Sequence, residues 1–158
     1  MNVELSPLFI MLFLVNGLMG FFFYFVMYKK RKLFADRYGM VMAAAGSSIF
    51  CMNLAMLLHF LFPFEIGVLA ILSTVIGGGI GLLYGALVRF QSLLAGFSHG
   101  SIGSIMGTMV GAVVENPALC GLPAAYFNDV ENNMILFGLF GTGLVFATFG
   151  LLFYSLRV

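Results

Sequence analysis

Apolar residues fall in five long, continuous runs along the 158-residue chain, and polar or charged residues separate the runs. Within a run the apolar positions are contiguous and do not alternate with polar ones. Continuous runs exclude an outer-membrane β-barrel, whose strands alternate apolar and polar positions. A helix that crosses a bilayer needs roughly 20 mostly apolar residues, each rising about 1.5 Å. The runs predict such helices over about 8–28, 40–62, 64–88, 92–114 and 134–156. Pro63 stops the second run, and Arg89–Gln91 make a tight turn between the third and fourth. Short connections make sequence neighbours antiparallel neighbours. The expected fold is an all-α integral membrane protein, a single membrane domain over 1–158 with five transmembrane helices.

Composition narrows the function classes. Hydrophobic residues make up 62% of the chain and charged residues 8%, whereas a soluble domain is about 25% charged. Such a chain cannot cover its surface with polar groups in water, which excludes an ordinary soluble enzyme, a nucleic-acid binder and a disordered tail. A net charge of +1 creates no field to gather acidic partners. The expected partners are the lipid bilayer and either a second copy or another membrane protein; no nucleic acid is expected.

The few charges mark orientation. Lys29, Lys30, Arg31, Lys32, Arg37, Arg89 and Arg157 are all the basic residues, and alternating span directions put every one on the same side. That side is cytoplasmic by the positive-inside rule. Glu4, Glu65, Glu115, Asp129 and Glu131 fall on the other side, and Asp36 alone joins the basic set. The N-terminus is therefore expected outside and the C-terminus in the cytoplasm. An even number of spans would scatter the basic residues. Residues 1–7 carry no positive charge, and the first run exceeds a signal-peptide core of about 7–15 residues, so it reads as a span with 29–32 as its stop-transfer flank. A plasma membrane or a bacterial inner membrane is the expected location.

The one long connection, 115–133, is external. It contains Asn116, Pro117, Gly121 and Pro123, then Asn128, Asp129, Glu131, Asn132 and Asn133. Its apolar middle offers Tyr126 and Phe127 as interfacial anchors. It is either a partner or gate surface or a plain connector. Cys51 lies mid-span and Cys120 in this loop, about half a bilayer apart in depth, so no mutual disulfide is expected.

Glycine gives the strongest internal pattern. Of 20 glycines, Gly77, Gly78, Gly79, Gly81 and Gly85 lie in the third span, and Gly96, Gly100, Gly103, Gly107 and Gly111 in the fourth. The latter five fall within an arc of roughly 80° on a helix. Lipid tails are as apolar as leucine, so membrane helices associate by close backbone approach along small-residue stripes. The third and fourth spans are therefore expected to form a glycine-rich hairpin used for helix packing or gating. Whether the fourth-span stripe faces the third span or another copy is left open by spacing. Three consecutive glycines each weaken a helix by about 1 kcal/mol relative to alanine, which points to a break, a hinge or a close ligand approach at Gly77–Gly79.

No Asp, Glu, Lys or Arg lies deep in a span, which disfavours a proton pump. Counted inward from the outer ends, Asn16, Asn53, Ser73, Thr74, Thr108 and Thr142 share a depth. They form either a polar layer lining a small site or constriction, or hydrogen bonds that fix helix register. Ser48, Met52, Met56 and His59 share a stripe about 80° wide, and Met52, Met56 and His59 are ligand types suited to Cu(I); methionine is also a gap filler. His99, nearer the inner side, is a gating or proton-linked candidate or a hydrogen-bonded packing residue. No nucleophile–base pair, phosphate loop, paired carboxylates or HExxH motif is present, so neither enzyme activity nor a cofactor is expected. Three functions follow: an oligomeric transport or channel-type protein built on the glycine-packed hairpin, a non-enzymatic accessory subunit or assembly factor of a larger membrane complex, or a soft-metal handling protein.

Overall fold

The structure is a computed structural model that describes residues 5–30, 36–62, 64–87, 90–121 and 130–155. The described residues form five long helices: α1 (Leu5–Lys30), α2 (Asp36–Leu61), α3 (Ile66–Gly85), α4 (Phe90–Glu115) and α5 (Val130–Ser155). All five are long and apolar enough to cross a membrane. The chain therefore has the architecture of a multi-pass helical membrane protein. A short 3-10 turn, Pro117–Cys120, follows α4, started by the Asn116 side chain accepting from the Ala118 N–H. Gly121 closes it at φ 68°, a left-handed conformation that glycine adopts without a side-chain clash.

The expected boundaries move by up to four residues: α1 begins at Leu5 instead of 8 and α2 at Asp36 instead of 40. Helix α5 begins at Val130 instead of 134, because Glu131, Asn132 and Asn133 form its first turn. A carboxylate there meets the exposed N–H groups of the helix start favourably. Helix α3 is shorter than its apolar run: Phe64 and Glu65 precede it, and Ala86 closes it by donating to the Leu82 carbonyl. Helix α3 also runs unbroken through Gly77, Gly78 and Gly79, where an interruption was one expectation. Packing against α4 supports the weak segment: a Cβ at Gly77 would come within 2.8 Å of the Gly100 carbonyl oxygen. Arg31, Lys32, Pro63, Arg89, Arg157, Glu4, Pro123, Tyr126, Phe127, Asn128 and Asp129 lie outside the described residues.

Successive helices are antiparallel. Tyr38, near the start of α2, bonds Ser155 at the end of α5. His59, near the end of α2, meets Glu115 at the end of α4. The helix ends carrying Lys29, Lys30 and Arg37 thus share one end of the bundle, and Glu65, Glu115 and Glu131 share the other. Helix α2 is the most buried of the five and touches all four others.

Among the described residues, two clusters fill the interior. The basic-end cluster centres on Phe23, Met27, Met42, Phe50, Tyr84, Val145 and Phe149. Phe23 stacks on Phe149 with ring centroids 4.3 Å apart and meets Tyr84 edge-on at 5.5 Å. The acidic-end cluster joins Phe9, Met56, Leu57, Phe60 and Val114, with Met134, Ile135 and Phe137 of α5 packed against it. Hydroxyls stitch neighbouring helices to glycine carbonyls: Tyr84 donates to Gly20 (3.0 Å), Ser92 to Gly39 (3.2 Å) and Ser47 to Gly96 (3.3 Å). Glycine serves here both as the point of close approach and as the acceptor that approach exposes.

Candidate functional site

The glycines of α4 divide their face between two neighbours. A side chain at Gly96 would run into the Gly81 carbonyl, and one at Gly100 into the Gly77 carbonyl, both on α3. A side chain at Gly103 or Gly107 would meet the backbone of Ser48 or Met52 on α2, and a Cβ at Gly111 would stand 3.2 Å from Cδ2 of the His59 ring. Gly81 and Gly85 make the matching contacts from α3, and Gly78 lies under Ser101 and Phe97. Gly79 has nothing within 4 Å. The stripe is therefore covered inside the chain.

The polar residues of similar depth do not make one layer. Asn16 donates to Thr142 Oγ1 (2.9 Å), and Asn53 donates to Asn16 Oδ1 (3.0 Å), tying α1, α2 and α5 together. Ser73 and Thr108 share a separate bond of 2.8 Å between α3 and α4. Thr74 turns back to the Ala70 carbonyl of its own helix. Depth along a helix is readable from sequence, but rotation around it is not, and rotation separates these groups. Asn16 is the hub of the three-helix network, so Asn16→Leu leaves the Asn53 amide without its acceptor in a site closed to water. We expect a loss of about 1–2 kcal/mol in reversible unfolding in mixed micelles, against about 0.6 kcal/mol for Ser73→Ala. Equal losses for the two variants would refute the hub role.

At the acidic end, His59 Nε2 lies 3.1 Å from Glu115 Oε2. The pair borders a cavity of about 590 Å³, lined also by Glu65, Phe64, Ile66, Ala112, Asn116 and Leu119. Met52 and Met56 instead border a cavity of about 50 Å³ with Asn53 and Gly141. The three residues of the soft-metal candidate are thus divided between two cavities. Among the described residues, no group of three His, Cys, Asp or Glu is placed to hold a metal ion. Cys51 is a free, buried thiol whose Sγ lies 3.6 Å from the Gly77 carbonyl oxygen.

A large concavity lies between α2 and α4 in the half of the bundle towards the basic end. It measures about 870 Å³ and is lined by Met40, Val41, Ala44, Ala45, Ser48 and Ile49 of α2 and by Gln91, Leu94, Ala95, Ser98 and His99 of α4. Its volume comes from short side chains: Ala44, Ala45 and Ser48 on one wall face Ala95 and Ser98 on the other. Helix α5 meets α4 in the acidic-end cluster and contributes no lining residue to this groove. His99 is exposed in it, with Nδ1 3.0 Å from the Ala95 carbonyl oxygen and 3.4 Å from Ser98 Oγ. Sequence reasoning singled out His99 but not the groove around it. No protein-family model, no curated protein and no solved structure matches the chain.

Proposed function

We propose that the chain is a non-enzymatic, transport-type membrane protein whose working surface is the α2–α4 groove, loaded sideways from the bilayer. The carrying observation is the groove itself: about 870 Å³, apolar walls and a few polar groups gathered at Gln91, Ser98, His99 and Ser48. Binding sites for small molecules have this character and span about 300–1,000 Å³. In this reading the basic end is cytoplasmic, the N-terminus outside and the C-terminus inside, as the distribution of Lys and Arg favours, so the groove opens in the inner leaflet. One wall is α4, backed on its other face by the glycine contacts with α3. Oligomer formation through the α4 stripe loses support, because α2 and α3 already cover those glycines.

A second reading, an accessory subunit, uses the same groove to seat a helix of another membrane protein. The exposed His99 ring favours some occupant in either case, because an uncovered polar atom in hydrocarbon is costly. A photo-crosslinker at Ala45 in the intact chain, activated in native membranes, separates the two. We expect an adduct of lipid-like mass, formed more efficiently than from the same group at Val75, which lies exposed on α3. A protein-sized adduct would favour the accessory reading. Equal adduct yields at Ala45 and Val75 would defeat the groove altogether.

A further inference from the structure

We infer that the groove takes an apolar molecule carrying a hydroxyl group, an alcohol or a phenol, and that this hydroxyl donates to His99 Nε2. The inference rests on the groove reading above and adds the chemistry of its occupant. It begins with the Nδ1 contact of 3.0 Å to the Ala95 carbonyl oxygen. A carbonyl can only accept, so Nδ1 carries the proton, and in the neutral form of imidazole the other nitrogen then presents a lone pair. Among the described residues Nε2 has no hydrogen-bond donor, and the ring is exposed in the groove.

Depth makes this lone pair selective. His99 stands eight residues beyond Gln91 on α4, about 12 Å along the helix axis. In the membrane placement proposed above, that depth sets the ring among side chains and lipid tails, away from bulk water that could donate. A hydrocarbon occupant would leave the acceptor unpaired. An ether or ketone brings only further acceptors. A carboxylate or phosphate would have to place its charge in the hydrocarbon region. A hydroxyl is neutral and donates, and the short side chains of Ala44, Ala45 and Ala95 leave room for the apolar body behind it.

The test compares dodecan-1-ol with dodecyl methyl ether, which keeps the oxygen but lacks the donor. The full chain is placed in nanodiscs with ¹⁵N-labelled histidine. His59 lies at the other end of the bundle and serves as the internal reference, because the chain has 2 histidines. We expect dodecanol to move the His99 Nε2 resonance and leave His59 in place, with the ether moving neither. We also expect the wild-type chain to prefer the alcohol about tenfold, the size of one well-made hydrogen bond. His99→Phe should remove that preference while ether binding is retained. His99→Asn, which preserves a polar acceptor at the same position, should restore part of it.

Two outcomes overturn the inference while leaving the groove intact. In one, alcohol and ether bind equally well to the wild-type chain. In the other, a Val41→Cys variant cross-links copy to copy and neither probe enters, which would make a second copy the occupant. Absence of binding by both probes, together with no preferential adduct at Ala45, would remove the groove reading itself.

Discussion

Gly81→Ala should unfold the α3–α4 pair at a cost of about 2–3 kcal/mol, and Gly81→Leu should prevent folded protein from accumulating. The Gly96 carbonyl sits where a Gly81 side chain would begin, and the Gly81 carbonyl sits where a Gly96 side chain would begin. Gly77 and Gly100 repeat this reciprocal contact one turn away. The obstacles are backbone atoms on both sides, so no rotamer change relieves the clash and the helices must separate. Separation loses the packing that holds membrane helices together, since burying leucine away from lipid returns almost nothing. Alanine favours the helix over glycine by about 1 kcal/mol, and overpacking costs of about 1–3 kcal/mol or more exceed that gain. Gly79→Ala is the control: with nothing within 4 Å of its Cβ position, it should be neutral or stabilise by up to about 1 kcal/mol. Far-UV circular dichroism during detergent titration reads both variants. A Gly81→Ala chain as stable as wild type would refute the close-contact account.

Phe23→Ala should cost about 2–3 kcal/mol. The ring is fully buried, stacked on Phe149 and met edge-on by Tyr84. Phe→Ala in water-soluble cores costs about 3–5 kcal/mol. Part of that is transfer from water, which shrinks when the separated helices remain in lipid; lost contacts and the cavity persist. Gly46 supplies a second check. Its missing side chain makes room for Phe23, whose ring would stand 2.8 Å from a Cβ there. Gly46→Ala should therefore destabilise the wild-type chain and become nearly neutral once Phe23 is alanine. Additive losses in this double-mutant cycle would show that the two positions do not share space.

Run length made the five helices readable from sequence, and the charges made their two ends readable. The glycine stripe of α4 was readable as a face, but not by what it faces. Spacing gives an angle around one helix and carries no information about the neighbour that fills it. In this fold the neighbour changes from α3 at Gly96 and Gly100 to α2 at Gly103 and Gly107. Asn16, Asn53 and Thr142 shared a depth with Ser73 and Thr108, yet helix rotation placed them in separate networks. The hydroxyl bonds from Ser47, Ser92 and Tyr84 to glycine carbonyls left no signal, because the acceptors are backbone atoms. The groove left none either: it is made by short side chains at Ala44, Ala45 and Ala95, and a shortage of atoms has no motif.

The central place of α2 has a consequence for how the chain is made. Membrane proteins are inserted in the order of synthesis, so α2 enters the bilayer well before α4 and α5. Until they arrive, Asn53 lacks the walls that close its site, and the α2 backbone at Ser48 and Met52 faces lipid or whatever escorts it. Helix α1 and the Asn16–Asn53 bond give α2 a first partner from the preceding segment. The α3–α4 hairpin then closes over the opposite side, and Thr142 completes the amide network last. The helix that organises the finished bundle is thus made before most of its surroundings, and the asparagine pair is what it holds in the meantime.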